Sequence, residues 1–67
     1  MHCYGILNQH IDLGAGSAID WARHNRIRCE IHLNRCRYWI PRASALESEF
    51  VLRFSHIAHR VPEHDIL

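Results

Sequence analysis

The chain has 67 residues, 48% of them apolar and 22% charged, with a formal net charge of +1. That length allows one small domain, 1–67, with a thin stability margin, and a near-neutral balance gives no general attraction to polyanions. No apolar run approaches the roughly 20 residues of a membrane span, and the N-terminus lacks a signal peptide's basic flank and long apolar stretch.

The three cysteines, Cys3, Cys29 and Cys36, are an odd number without the spacing of a disulfide framework. The expectation is a cytoplasmic protein with free thiols.

In chain order, Ile6 to Leu13 reads as a short helix, broken by Gly14-Ala-Gly-Ser17. Ser17 stands three residues before Asp20, the spacing of a capping box, and predicts a helix from about Ser17 to Asn25. Its inner face would carry Ala18, Trp21, Ala22 and Asn25, its outer face Asp20, Arg23 and His24.

The segment from Ile27 to Pro41 alternates, as a half-buried hairpin requires. A turn at Asn34-Arg35 would pair Leu33 with Cys36, Ile31 with Tyr38 and Cys29 with Ile40 on an apolar face. Glu30 and Trp39, and His32 and Arg37, would then be opposite on a polar one.

A second capping box, Ser44 with Glu47, starts a helix that the stripe Leu46, Phe50, Phe54, Ile57 and Val61 extends to Pro62. Glu49 and Arg53 form a surface i,i+4 pair on it. Its far end would project beyond so small a core. Ile57 and Val61, with Ile66 and Leu67 from a 62–67 tail, are the candidate protein-contact surface.

Charge is uneven along the chain. Arg23, Arg26, Arg28, Arg35, Arg37 and Arg42 face only Glu30 in the middle, and every basic residue is arginine. Arginine suits bidentate contact with phosphate or guanine. A helix, a basic helix after a turn, and a β-hairpin wing follow the plan of a winged helix-turn-helix. The fold class expected is therefore α+β, in the order short helix, turn, recognition helix, wing, C-terminal helix.

The stretches "LGAGSAIDWARHNRI" and "RYWIPRASALESEF" resemble the excisionase family and, more broadly, MerR-like DNA-binding modules. The resemblance rests on Leu13, Gly14, Trp21, Arg23, Arg26, Ile27, Arg37, Tyr38, Ile40, Pro41, Ser44, Ala45 and Leu46. Asn25 stands where such modules commonly have glycine and tolerates the same left-handed conformation. The resemblance implies a protein without catalysis or cofactor that binds and bends double-stranded DNA and directs integrase-mediated excision.

Ser17, Asp20, Arg23, His24, Arg26, Arg28, Arg35 and Arg37 are the candidate DNA contacts. Integrase and neighbouring copies of the chain on DNA are the candidate partners, with a nucleoid-associated location. A plain transcriptional regulator, or a small inhibitor covering an acidic protein surface, are the alternatives.

Other chemistry is weaker. One Gly-x-Gly in a chain too short for a βαβ nucleotide site reads as a turn. In the register above Cys29 and His32 lie on opposite faces, and His56 and His59 lack i,i+4 spacing, so no metal site is expected. No nucleophile, base and orienting acid assemble from the sequence, so no catalytic residues are expected.

Overall fold

The computed structural model describes residues 1–7, 16–62 and 65. The element order is β1 (His2–Leu7), α1 (Ala18–His24), β2 (Arg28–Ile31), β3 (Arg35–Ile40), α2 (Ala45–Phe54) and β4 (Ala58–Val61). The strands form one antiparallel sheet in the order β2-β3-β1-β4. This is an α+β architecture of the split β-α-β type, with both helices packed on one face of the sheet.

α1 forms where its caps predict. Ser17 Oγ accepts the Asp20 N–H at 3.1 Å, and Asp20 in return accepts the Gly16 N–H at 3.1 Å. Ala18, Ile19, Trp21 and Ala22 are buried. The helix ends in a Schellman motif: Ile27 N–H donates to Ala22 O at 2.8 Å and Arg26 N–H to Arg23 O at 3.3 Å. The left-handed residue is Arg26 (φ 55), whereas Asn25 keeps φ −102. The left-handed position falls one residue after Asn25, because the motif requires positive φ after the cap residue and Asn25 is the cap.

The hairpin forms with its two faces as alternation predicts, but its register is corrected. His32 N–H donates to Arg35 O at 2.7 Å around a Leu33-Asn34 turn, and the pairs are Arg28–Trp39, Cys29–Tyr38, Glu30–Arg37 and Ile31–Cys36. Moving the turn by one residue shifts each partner by two, which preserves the faces. Leu33 leaves the apolar face for the tip and is 98% exposed.

Two elements depart from the sequence reading. His2–Leu7 is a strand where Ile6 onward was expected to be helical; residues 8–13 of that expected helix lie outside the described residues. β1 is central, paired with β3 and β4, and both of its sides are buried at Cys3, Gly5 and Ile6. A strand buried on both faces shows no alternation to read.

The second correction is that α2 stops at Phe54, and Ala58–Val61 pairs with β1, Cys3 opposite Val61. Ser55, His56, Ile57, His59 and Val61 are indifferent helix formers. Pairing along β1 satisfies backbone groups that would otherwise be an open edge. Pro62 therefore ends a strand, not a helix.

The core lies between the helices and the inner sheet face. Phe50 is its hub, with ring centroids 5.0 Å from Tyr4, 5.4 Å from Trp21, 5.5 Å from Tyr38 and 5.2 Å from Phe54. Such tilted pairs each add to the burial of their rings.

Candidate functional site

Because both helices sit on one face, the other sheet face carries no helix among the described residues. Alternation and register place its side chains in rows. Arg28, Trp39, Cys3 and Val61 form one row across β2, β3, β1 and β4, and Glu30, Arg37, Gly5 and His59 form the next. Arg35 and Leu7 follow in a third. Among the paired strand residues, Arg28, Arg35, Arg37 and His59 thus share a face with Trp39 and the carboxylate of Glu30.

The row of Trp39 holds a stacked pair. Arg28 Cζ lies 4.6 Å from the Trp39 ring centroid, and Arg28 Nη2 donates to Glu30 Oε2 at 2.7 Å. Glu30 thereby fixes the guanidinium over the indole, an arrangement that strengthens as water is excluded.

Arg37 is different. It is half-buried, has no ion pair among the described residues, and its Nε is buried without a hydrogen-bond partner. Among the described residues Arg35 has a single long contact, Nε to Asn34 Oδ1 at 3.4 Å.

The floor between these groups is low. A Cβ on Gly5 would stand 3.0 Å from His59 Cε1, so only glycine lets the imidazole lie this close over β1. Cys3, 1% exposed, lies in the row between Trp39 and Val61. Burial pushes its thiol pKa up, opposed by the Arg37 charge and assisted by Glu30.

The sequence-predicted contacts divide between the two sides of the molecule. Arg28, Arg35 and Arg37 meet on the sheet face opposite the helices. Ser17 is buried as the cap of α1, and Asp20 is engaged with Gly16 and, at 3.5 Å, with His24. Arg23 and His24 are exposed in the last turn of α1, in the helical layer, and Arg26 is exposed in the connection to β2.

On the proposed contact surface, Val61 is 4% exposed in β4 and Ile57 packs partly buried against the core. Neither projects on a helix end, since the helix has ended. Ile66 and Leu67 lie outside the described residues. The sequence reading missed His59 and Gly5 because it placed His59 on a helix; Trp39 was already on the outer side of the hairpin and needed only β1 beside it.

Beneath the sheet, Cys29 and Cys36 bring their Sγ atoms within 3.0 Å, beside the buried Tyr38 hydroxyl. Burial, with hydrogen bonding and charge from Cys36, pushes the Cys29 thiol up to about 12, and burial likewise raises Tyr38. His32 is exposed at the hairpin end, and no group of three or more His, Cys, Asp or Glu able to hold a metal occurs among the described residues. A cavity of about 390 Å³ on the helical side is lined by Ile6, Ile19, Phe54 and Ile57 together with Arg53 and His56. No helix among the described residues is long and apolar enough to cross a membrane.

Compared with protein-family models, with curated proteins and with solved structures, the chain matches none.

Proposed function

We propose that this protein binds nucleic acid without transforming it, and that the outer sheet face is the surface it uses. The observation that carries this reading is the convergence of Arg28, Arg35 and Arg37 with Trp39 and His59 on one face, opposed among the described residues by Glu30. Clustered arginines around an aromatic are what a phosphate backbone with accessible bases requires. The resemblance to excisionases gives such binding a setting, the direction of an integrase towards excision, with control of a nearby promoter as the plainer alternative.

A groove-reading role for α1 has less support. Reading helices contact bases chiefly with their N-terminal residues. In α1 those positions are Ala18 and Ile19, both buried, and the acidic Asp20. Only Arg23 and His24 at its far end remain available.

The test is a salt titration of binding to labelled oligonucleotides. Three arginine–phosphate contacts predict a slope of log K against log salt of roughly −2 to −3. Replacing Arg28, Arg35 and Arg37 together by alanine should abolish binding, and Arg23→Ala with His24→Ala should change it little. Absence of binding in 50 mM salt, or indifference to the triple replacement, would overturn the reading.

A further inference from the structure

We infer that the ligand of this face is a single-stranded polynucleotide, gripped by stacking one base on the Arg28–Trp39 pair while Arg37 and Arg35 hold the adjoining phosphates. The inference rests on the nucleic-acid reading above and names its substrate class.

The first argument is the platform itself. Arg28 sits 4.6 Å from the Trp39 centroid, tethered by its 2.7 Å bond to Glu30. Bases stack on aromatic rings and on guanidinium planes when they are free to turn outwards. In a duplex those faces are already covered by neighbouring bases, and exposing one costs a few kcal/mol. A stacked Arg–Trp pair on the sheet face opposite α1 and α2 therefore discriminates for a strand whose bases are unpaired.

The second argument is shape. A major groove about 12 Å wide admits a helix or a two-stranded ribbon. A four-stranded sheet spans about 15 Å between its outer strands at roughly 4.8 Å per neighbour. Its face cannot enter the groove. The narrow β2–β3 tip presents Leu33, which is 98% exposed, and not an arginine.

The third argument is charge placement. Arg35, Arg37 and Trp39 are successive outward residues of β3. Their spacing is about 6.7 Å, comparable with one nucleotide of an extended strand. A base on the platform sets its phosphate over Arg37, the arginine on this face with neither an ion pair nor a hydrogen bond among the described residues. The next phosphate falls near Arg35. The His59 ring, lying close over Gly5 in the same row as Arg37, adds a second planar surface across β1.

The experiment compares four labelled 12-mers by fluorescence anisotropy: oligo-dT, oligo-U, a mixed-sequence duplex, and an abasic deoxyribose-phosphate strand. Oligo-dT or oligo-U should bind at least 10-fold tighter than the duplex and the abasic strand. The relative affinity of the first two tells whether the strand is DNA or RNA. Trp39→Ala should weaken single-strand binding about 5- to 100-fold, the range for loss of one base stack, and Trp39→Phe should restore most of it. The Phe variant separates lost stacking from lost folding, and the abasic strand makes the same separation on the unaltered protein. Duplex or abasic strand bound as tightly as oligo-dT would overturn the inference and leave the nucleic-acid reading intact. Failure to bind any of the four would remove both.

Discussion

Arg26 holds a left-handed backbone, φ 55, at the position after the α1 cap where glycine is ordinarily found. A non-glycine residue there costs roughly 1–2 kcal/mol, offset in part by glycine's larger entropy loss. Arg26→Gly is therefore expected to raise stability by about 0.5–1 kcal/mol in urea unfolding. A loss of stability would mean that the arginine side chain is itself a packing element.

The buried thiols offer a second check at this scale. With Cys29 pushed up to about 12 from an ordinary 9.0, its thiolate fraction at pH 8 falls by roughly 10³. Iodoacetamide should modify Cys29 far more slowly in the folded protein than in the unfolded one. The raised value also stabilises the fold below pH 9, and that stability is lost as pH rises from 9 towards 12. Labelling of the folded protein at the unfolded rate would refute the close Cys29–Cys36 pair.

Among the elements, β1 and α2 are joined by one carboxylate. Glu47 accepts from the Ala43 N–H at 2.8 Å, from Tyr4 Oη at 2.9 Å and pairs with His2. Burial alone would raise its pKa, but these hydrogen bonds and the His2 charge outweigh burial and lower it. The stability it contributes is present above its ordinary value of 4.5 and disappears as pH falls through the lowered one. Glu47→Gln should cost about 1–2 kcal/mol at pH 7 and much less at pH 3. Equal differences at both pH values would show that the carboxylate charge plays no part.

α1 and the hairpin faces were readable because their signals are local: a cap three residues from its partner, and alternation across a short turn. The extent of α2 was not. The 4, 4, 3, 4 stripe continues past Phe54 by coincidence of spacing, since Val61 is buried as a strand residue opposite Cys3. Glu49 does pair with Arg53 at 3.8 Å, and it also accepts the Trp21 indole N–H at 3.0 Å, a contact no spacing could announce.

For the whole molecule, the position of Val61 has a direct consequence. Val61→Ser should destabilise the fold by about 2–3 kcal/mol, through lost apolar burial and a buried hydroxyl. That is a large share of the stability of so short a chain. Leu52→Ser, at a residue 85% exposed, should stay within about 0.5 kcal/mol. Thermal unfolding of the two variants decides the matter, and a Val61→Ser protein as stable as the parent would return Val61 to a surface role. At the same scale, the arginines prove not to form one patch. Arg23 belongs to the helical layer, while Arg28, Arg35 and Arg37 belong to the opposite sheet face.

The sequence by itself determined the α+β character, both helix starts at Ser17 and Ser44, and the in–out sorting of residues 28–31 and 35–40. Each follows from propensity, capping or alternation within a few residues. Tertiary structure alone decided that His2–Leu7 is a central strand, that the chain after Phe54 returns as β4, and that His59 joins Trp39 and Arg37 on their face. Those outcomes depend on backbone pairing between segments far apart in sequence, such as Cys3 with Val61 and His2 with Ile40. Such pairing is fixed by closing the sheet over one core, and a local pattern carries no trace of the strand that will lie beside it.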